Sequence, residues 1–214
     1  MAVKTTSHAR LGRPPASDSV HTRRRLLDTA RETFAVRGYE GTTNRDIATS
    51  AGMTAAALYH YFPSKLDLYL AVLDDVEDAV HQWLLGSVLG HDSFVSAFSA
   101  ILDEALRLSA EHPSMPAFLG SVRVDARRHV EIGAALAARA SETDEIFSEL
   151  INLGVSTGEI ESDRRNEMSV FVFSALFGLT DVLGGQRDAQ TLAVEAFKSA
   201  VSGRLVDQQG RPHP

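Results

Sequence analysis

The chain contains no cysteine. That excludes structural disulfides and thiolate metal sites. No apolar run approaches the ~20 residues of a membrane-spanning helix, and the N-terminus lacks the apolar core of a signal peptide. The expectation is a soluble, cytoplasmic protein. G-x-S-x-G and a P-loop are absent, and Gly184-Gly185 lies between expected helices rather than after a strand, so it is no phosphate cradle. His81, His112 and His129 are far apart and form no i, i+4 pair, so no metal site is expected. Nothing assembles a catalytic set or a cofactor site. The reading is a non-enzyme without a cofactor, and no internal repeat is visible.

What is present is an uneven charge. The net formal charge is −7, but residues 1–65 hold ten Lys and Arg against five Asp and Glu, a net +5. Residues 66–214 hold eleven against twenty-three, a net −12. A basic front and an acidic rear mean that only the front should approach nucleic acid.

The chain is organised around Thr42 to Phe62. This stretch reads as two short helices joined by the turn Ala51-Gly52-Met53. Thr43 is a good N-cap, with Asp46 three residues later making a capping-box-like pair. Thr54 caps the second helix, and Met53 and Leu58 stand at the positions of a hydrophobic staple. Gly52 is free to take the left-handed conformation that ends the first helix. At about 100° per residue, Leu58, Tyr61 and Phe62 share one side of the second helix. Ala56, Tyr59 and His60 point the other way, with Ala55 and Ala57 at the flanks. A small, flat start followed by hydrogen-bonding rings suits a DNA major groove.

Helical periodicity extends across the rest. A helix is expected from about Thr22 to Arg37, with Leu26, Leu27, Ala30 and Phe34 inward and Gly38 at its end. Another starts at Pro63-Ser64, capped by Ser64 with Asp67, and runs to about Leu89. Phe94–Ala110, Pro116–Val124, Val124 to about Gly154, Arg164–Leu183 and Asp188 to about Leu205 follow. The expected fold class is all-α: a three-helix helix-turn-helix DNA-binding domain at residues 20–80, with its motif at 43–62, and a helical effector-binding and dimerisation domain at 81–207. Residues 1–19 are expected to be a disordered basic arm and 208–214 a tail. Gly12-Arg13-Pro14 resembles an AT-hook core that lays Arg13 in a minor groove, with a plain solvated tail as the equal alternative.

The block around residues 25–75 resembles the DNA-binding domain of TetR-family transcriptional regulators. The matching features are Arg37-Gly38-Tyr39, the spacing of Thr43, Ile47-Ala48 and Ala51-Gly52, and Leu58-Tyr59 followed by Phe62-Pro63-Ser64-Lys65. The match covers roughly residues 22 to 80. The resemblance implies that Thr43, Thr54, Tyr59, Tyr61 and Lys65 hold phosphates, while Arg45, Ala55, Ala56 and His60 face bases or the groove, and Asn44 and Ala57 belong to the same expected DNA-binding set. Capping alone is the competing role for Thr43 and Thr54, and a core position is the competing role for Tyr61. Arg23, Arg24 and Arg25 stand against the helix dipole, as a nearby phosphate or simple solvation would allow. Family members often carry a polar or basic residue and a glycine where this chain has Ala55 to Ala57. Alanine methyls can touch thymine methyls but cannot pair with guanine.

The resemblance also implies a small-molecule pocket in the rear domain. Candidate lining residues are Trp83, Phe94, Phe98, Met115, Phe118, Leu119, Val122, Arg123, Phe147 and Phe173, each of which could instead be ordinary core. The polar residues His81, His112, Arg123, Asp125, Arg127, Arg128 and His129 are telling if they point inward. A buried Arg123 or Arg127 would favour an anionic effector. The apolar helix Arg164–Leu183, with the small residues Ser174, Ala175 and Gly178, and the last helix are expected to form a two-fold homodimer interface through Ser174, Ala175, Gly178, Leu179, Leu192, Phe197, Ala200 and Val201. The implied function is a transcriptional regulator, most often a repressor, that binds double-stranded operator DNA and is released by an effector. An effector-less DNA-bound factor of the same fold is the alternative, which a pocket-free rear core would favour.

Overall fold

The computed structural model describes residues 15–183 and 186–203. Arg13, the Gly184-Gly185 turn and the 208–214 tail lie outside the described residues. The first helix, α1, spans Pro15–Arg37 and so starts seven residues ahead of Thr22. Proline opens it, where a fixed φ suits the helix and the missing N–H has no partner to lose. Gly38, at φ 67°, closes it, and its N–H reaches Phe34 O at 2.8 Å.

α2 (Asn44–Ser50) begins on the expected capping box: Thr43 Oγ1 accepts from Asp46 N, and Asp46 Oδ2 accepts from Thr43 N at 3.1 Å. Gly52, at φ 69°, turns the chain into α3 (Ala55–Tyr61), capped by Thr54. Ser64 caps α4 (Lys65–Val88). α5 (Phe94–Glu111) follows, then α6 (Ser114–Ala126). α7 (Val130–Ser156) starts only after a break at Arg127–His129, where one uninterrupted helix from Val124 was expected. A 3₁₀ turn at Ser162–Arg164 leads to α8 (Arg165–Phe177), which widens into a π-helical turn at Gly178–Val182 before α9 (Arg187–Val201). The described residues contain no strand.

Two cores result. The front one joins Leu26 and Phe34 of α1, Ile47 of α2, Leu58 of α3 and Leu68, Tyr69 and Leu73 of α4. Phe118 and Val122 of α6 complete it, with Phe118 ring-packed against Phe34 and Tyr69. The rear core joins Leu84, Phe94, Phe98, Ile101, Leu150, Val172, Ala175 and Val194. α4 runs through both, and α6 reaches from the rear helices into the front core.

Candidate nucleic-acid interface and rear cavity

α3 presents the outer face that its sequence implies. Leu58 and Phe62 are buried, Ala56, Tyr59 and His60 are exposed, and Ala55 and Ala57 lie half-buried between. Tyr59 is 51% exposed, which leaves its ring and hydroxyl available. Tyr61 is half-buried and packs on the front core, with its ring edge-on to His60 at 5.7 Å. Its competing core role therefore accounts for most of the side chain.

Thr43, Arg45 and Thr54 are exposed beside this face. The two threonines differ. Thr43 Oγ1 accepts from Asp46 N and donates to Asp46 Oδ2 at 2.7 Å, so its hydroxyl hydrogen is engaged. These bonds hold the Asp46 carboxyl below its ordinary range. Among the described residues Thr54 Oγ1 only accepts, from Ala57 N at 3.2 Å, which leaves its hydroxyl hydrogen to give to a phosphate. Asn44 is not on the face: it is 6% exposed, and its Oδ1 is buried without a partner among the described residues. At the first position of α2 its side chain lies against the core rather than the groove.

The basic residues sort in the same way. Lys65 Nζ donates to Tyr39 O at 2.8 Å and Thr42 O at 3.1 Å, and sits 4.1 Å from the Tyr39 ring centroid. Two of three ammonium donors thus tie the start of α4 to the turn before α2. Arg24 pairs with Asp28 and Asp75, joining α1 to α4, so solvation or a phosphate is not what offsets its charge. Arg23 lies over the Phe62 ring at 5.3 Å, and Arg25 is exposed.

The same turn is gripped from behind by one of the polar residues weighed for the effector pocket, which points inward but toward the head. Asp125 of α6 is 4% exposed. Its Oδ2 accepts from Tyr39 N at 3.0 Å and from the Tyr69 hydroxyl at 2.9 Å. Burial and then this carboxylate push the Tyr69 phenol far above its ordinary value. His129 packs edge-on against Tyr39 at 4.8 Å, and its Nε2 is 2.9 Å from Glu40 Oε1, a contact close enough for an ion pair but too poorly directed for a hydrogen bond. Only an inward-facing acid on α6 could have been noticed beforehand. The contact spans 86 residues and leaves no local signal.

The rear helices line a cavity of about 320 Å³. Trp83, Leu119, Arg123, Phe147 and Phe173 of the expected lining are there, joined by Val80, Leu84, Leu136 and Leu176. The other candidates are not. Phe94 and Phe98 stack on each other at 5.6 Å inside the rear core. Phe118 and Val122 are buried in the front core, and Met115 packs on it. Aromatic and branched residues at helical spacing signal burial but not which side of a wall they occupy.

Two guanidinium groups line the cavity. Arg123 lies 3.8 Å from the Phe177 ring centroid. Arg139 is ringed by Asp74 at 2.8 Å, Asp78 at 2.9 Å and Glu77 at 3.5 Å, a clasp between α7 and α4. Arg127, Arg128 and His112 are exposed, while His81 is half-buried with its Nδ1 unpartnered among the described residues. No group of three metal-ligating side chains occurs among the described residues. No helix among them is long and apolar enough to cross a membrane.

α8 turns one face inward and one outward. Ala175 and Leu179, both expected at a dimer interface, are buried in the chain's own core. Phe197 and Val201 also pack on that core, and Ala200 is half-buried. The outward residues are Val170, Ser174 and Phe177 on α8 and Leu192 on α9, with Gly178 at the edge. Val170 is 66% and Leu192 73% exposed. An apolar helix shows from sequence that two sides are covered, but not which residues its own domain takes.

A helix-turn-helix head with a capped, half-flat second helix, set on a helical rear domain with a cavity, defines a DNA-binding transcriptional regulator. Residues 26–72 match the family described as bacterial regulatory proteins, tetR family. It is similar to the HTH-type transcriptional repressor KstR2 of Rhodococcus jostii (strain RHA1), with 29% identity over 157 residues, covering 70% of this chain and 74% of that protein. It is also similar to the HTH-type transcriptional repressor AcnR of Corynebacterium glutamicum, with 25% identity over 165 residues, covering 77% and 79%. The fold matches AibR, solved in complex with isovaleryl coenzyme A and operator DNA, at TM-score 0.69 and 20% identity, covering 84% of this chain and 97% of that one. Both relatives, KstR2 and AcnR, are transcriptional repressors by name.

Proposed function

We propose that the chain is a homodimeric repressor whose two heads sit in successive major grooves of a near-palindromic operator, about 34–36 Å apart. A small-molecule effector in the rear cavity releases it. The head at residues 20–80 reads DNA, and residues 81–207 bind the effector and the second copy. The observation that carries the reading is an exposed α3 face on a head whose core includes α4 and α6, two helices that also line the rear cavity. A pocket-free rear core would have favoured the effector-less alternative, and the cavity counts against it.

Contacts divide into positioning and reading. Thr54 and Tyr59 hold phosphates, with Thr43 and the third Lys65 N–H secondary. Arg45, Ala55, Ala56, Ala57 and His60 face the groove, where Arg45 can pair with guanine and the alanines favour thymine methyls. Val170, Ser174, Phe177 and Leu192 form the centre of the two-fold interface. The effector acts by preferring a different spacing of the two heads. The protein works in the cytoplasm, where its DNA is. Sedimentation of the protein on a duplex taken from DNA flanking its own gene tests the assembly. Two chains per protected site support the reading, and one chain per site contradicts it.

A further inference from the structure

We propose that the rear cavity takes an uncharged, mainly apolar molecule with one hydrogen-bond-accepting oxygen, such as a ketone, ester or thioester carbonyl, and that the Trp83 indole N–H detects it. The inference rests on reading this cavity as the effector site. Its inner wall is hydrocarbon and ring: Val80, Trp83, Leu84, Phe147, Phe173 and Leu176. Within that wall Trp83 Nε1 is buried and has no acceptor among the described residues. Indole N–H can only donate, so a sealed, unpaired one is a standing penalty in the empty protein. A pure hydrocarbon leaves that penalty in place. A molecule that brings an acceptor oxygen and makes the wall yield to it removes the penalty.

Charge decides against an ionic head group. Glu77 and Asp144 balance Arg123 and Arg139 at the wall, and Arg139 is already met by Asp74, Glu77 and Asp78. A carboxylate would enter beside this acid-rich clasp without a surplus cation to meet it. An amine would have two guanidinium groups as neighbours. A neutral carbonyl meets neither cost. Trp83 also stands on α4, whose first turn follows α3 directly, so a ligand that repacks this ring acts on the helix that carries the reading head.

The full chain is titrated calorimetrically with 2-nonanone, nonanoate and nonylamine, which share an alkyl chain and differ in head group. Trp83 is the chain's single tryptophan, so its emission reports occupancy of this cavity directly. The expected result is saturable binding of the ketone with a change in Trp83 emission, and weaker binding of both ions. Trp83→Phe should weaken the ketone about five- to tenfold, the worth of one hydrogen bond between neutral groups, with the helical circular dichroism unchanged. Tighter binding of nonanoate or nonylamine, binding of no probe, or ketone affinity untouched by Trp83→Phe overturns the proposal. If that variant does not fold, the order of the three probes on the unaltered protein still decides. Release of labelled operator, followed in parallel, separates the two readings. A ketone that binds without releasing DNA sinks the effector reading alone, and an ion that releases DNA where the ketone does not bind sinks the ligand class alone.

Discussion

Arg45 and Tyr59 are both exposed at the head, yet they should fail differently when replaced. Arg45→Ala should relax preference at one operator position, by about 1–3 kcal/mol, read as a flattened column in a selection from random duplexes. Tyr59→Phe should weaken every sequence alike by about the worth of one hydrogen bond and leave the salt slope of log K unchanged, because a neutral hydroxyl releases no counterion. Unchanged affinity for every sequence would remove Tyr59 from the phosphate contacts. Lys65 belongs to a third kind. Lys65→Met takes two donors from Tyr39 O and Thr42 O, so its first effect should be a loss of about 1–3 kcal/mol of stability, read as a lower urea midpoint, before any effect on DNA. Full stability with lost DNA affinity would instead make it a phosphate ligand. The buried Tyr69–Asp125 pair sets an alkaline limit. The Tyr69 phenol is raised above its ordinary 10.0, so its contribution is complete below that pH and is lost as pH rises past it, when the unfolded phenol ionises and the folded one resists. Tyr69→Phe should remove that part of the alkaline decline in thermal melts. A melt curve that declines identically in both proteins would show that Tyr69 does not cause it.

Among the elements, the short helices of the head were the most legible, because their ends are written locally. Thr43 with Asp46, Thr54, and Ser64 with Asp67 lie three residues from the backbone groups they satisfy, and all form. Gly52 was legible for the same reason, and Gly52→Ala should cost about 1 kcal/mol in a denaturant melt, since its Cβ meets open space and only the φ of +69° is strained. α8 was the least legible. Its apolar residues surround the helix, so Ala175 and Leu179 read as interface candidates although the chain's own core buries them. Phe118 and Val122 misled for a related reason. Periodicity places them on the inner side of α6, but only the packed fold shows that this inner side faces the head rather than the cavity. The Asp125–Tyr39 contact joins two elements with no shared sequence signal, and α6 carries it together with the cavity residues Leu119 and Arg123.

Taken as a whole molecule, the charge division that composition implies has a structural counterpart. Much of the acid surplus on α4 is spent on cations of the chain itself: Asp75 on Arg24, and Asp74, Glu77 and Asp78 on Arg139. The face of α3 carries no acidic side chain to repel a phosphate. Association of two copies should rest on the outward apolar residues of α8 and α9. Val170→Glu should therefore give a monomer by sedimentation with the single-chain fold intact, and its DNA affinity should fall toward that of one head. A dimer that survives this change would move the interface elsewhere. Two copies of the chain should read a two-fold operator with their two α3 helices. Footprinting of the purified protein on DNA flanking its own gene, across a salt series, tests it most directly. The expected result is a protected, dyad-symmetric site whose affinity falls steeply as salt rises. Weak protection indifferent to sequence would contradict it, and would mean that Ala55 to Ala57 leave a head that positions itself on DNA without specifying where.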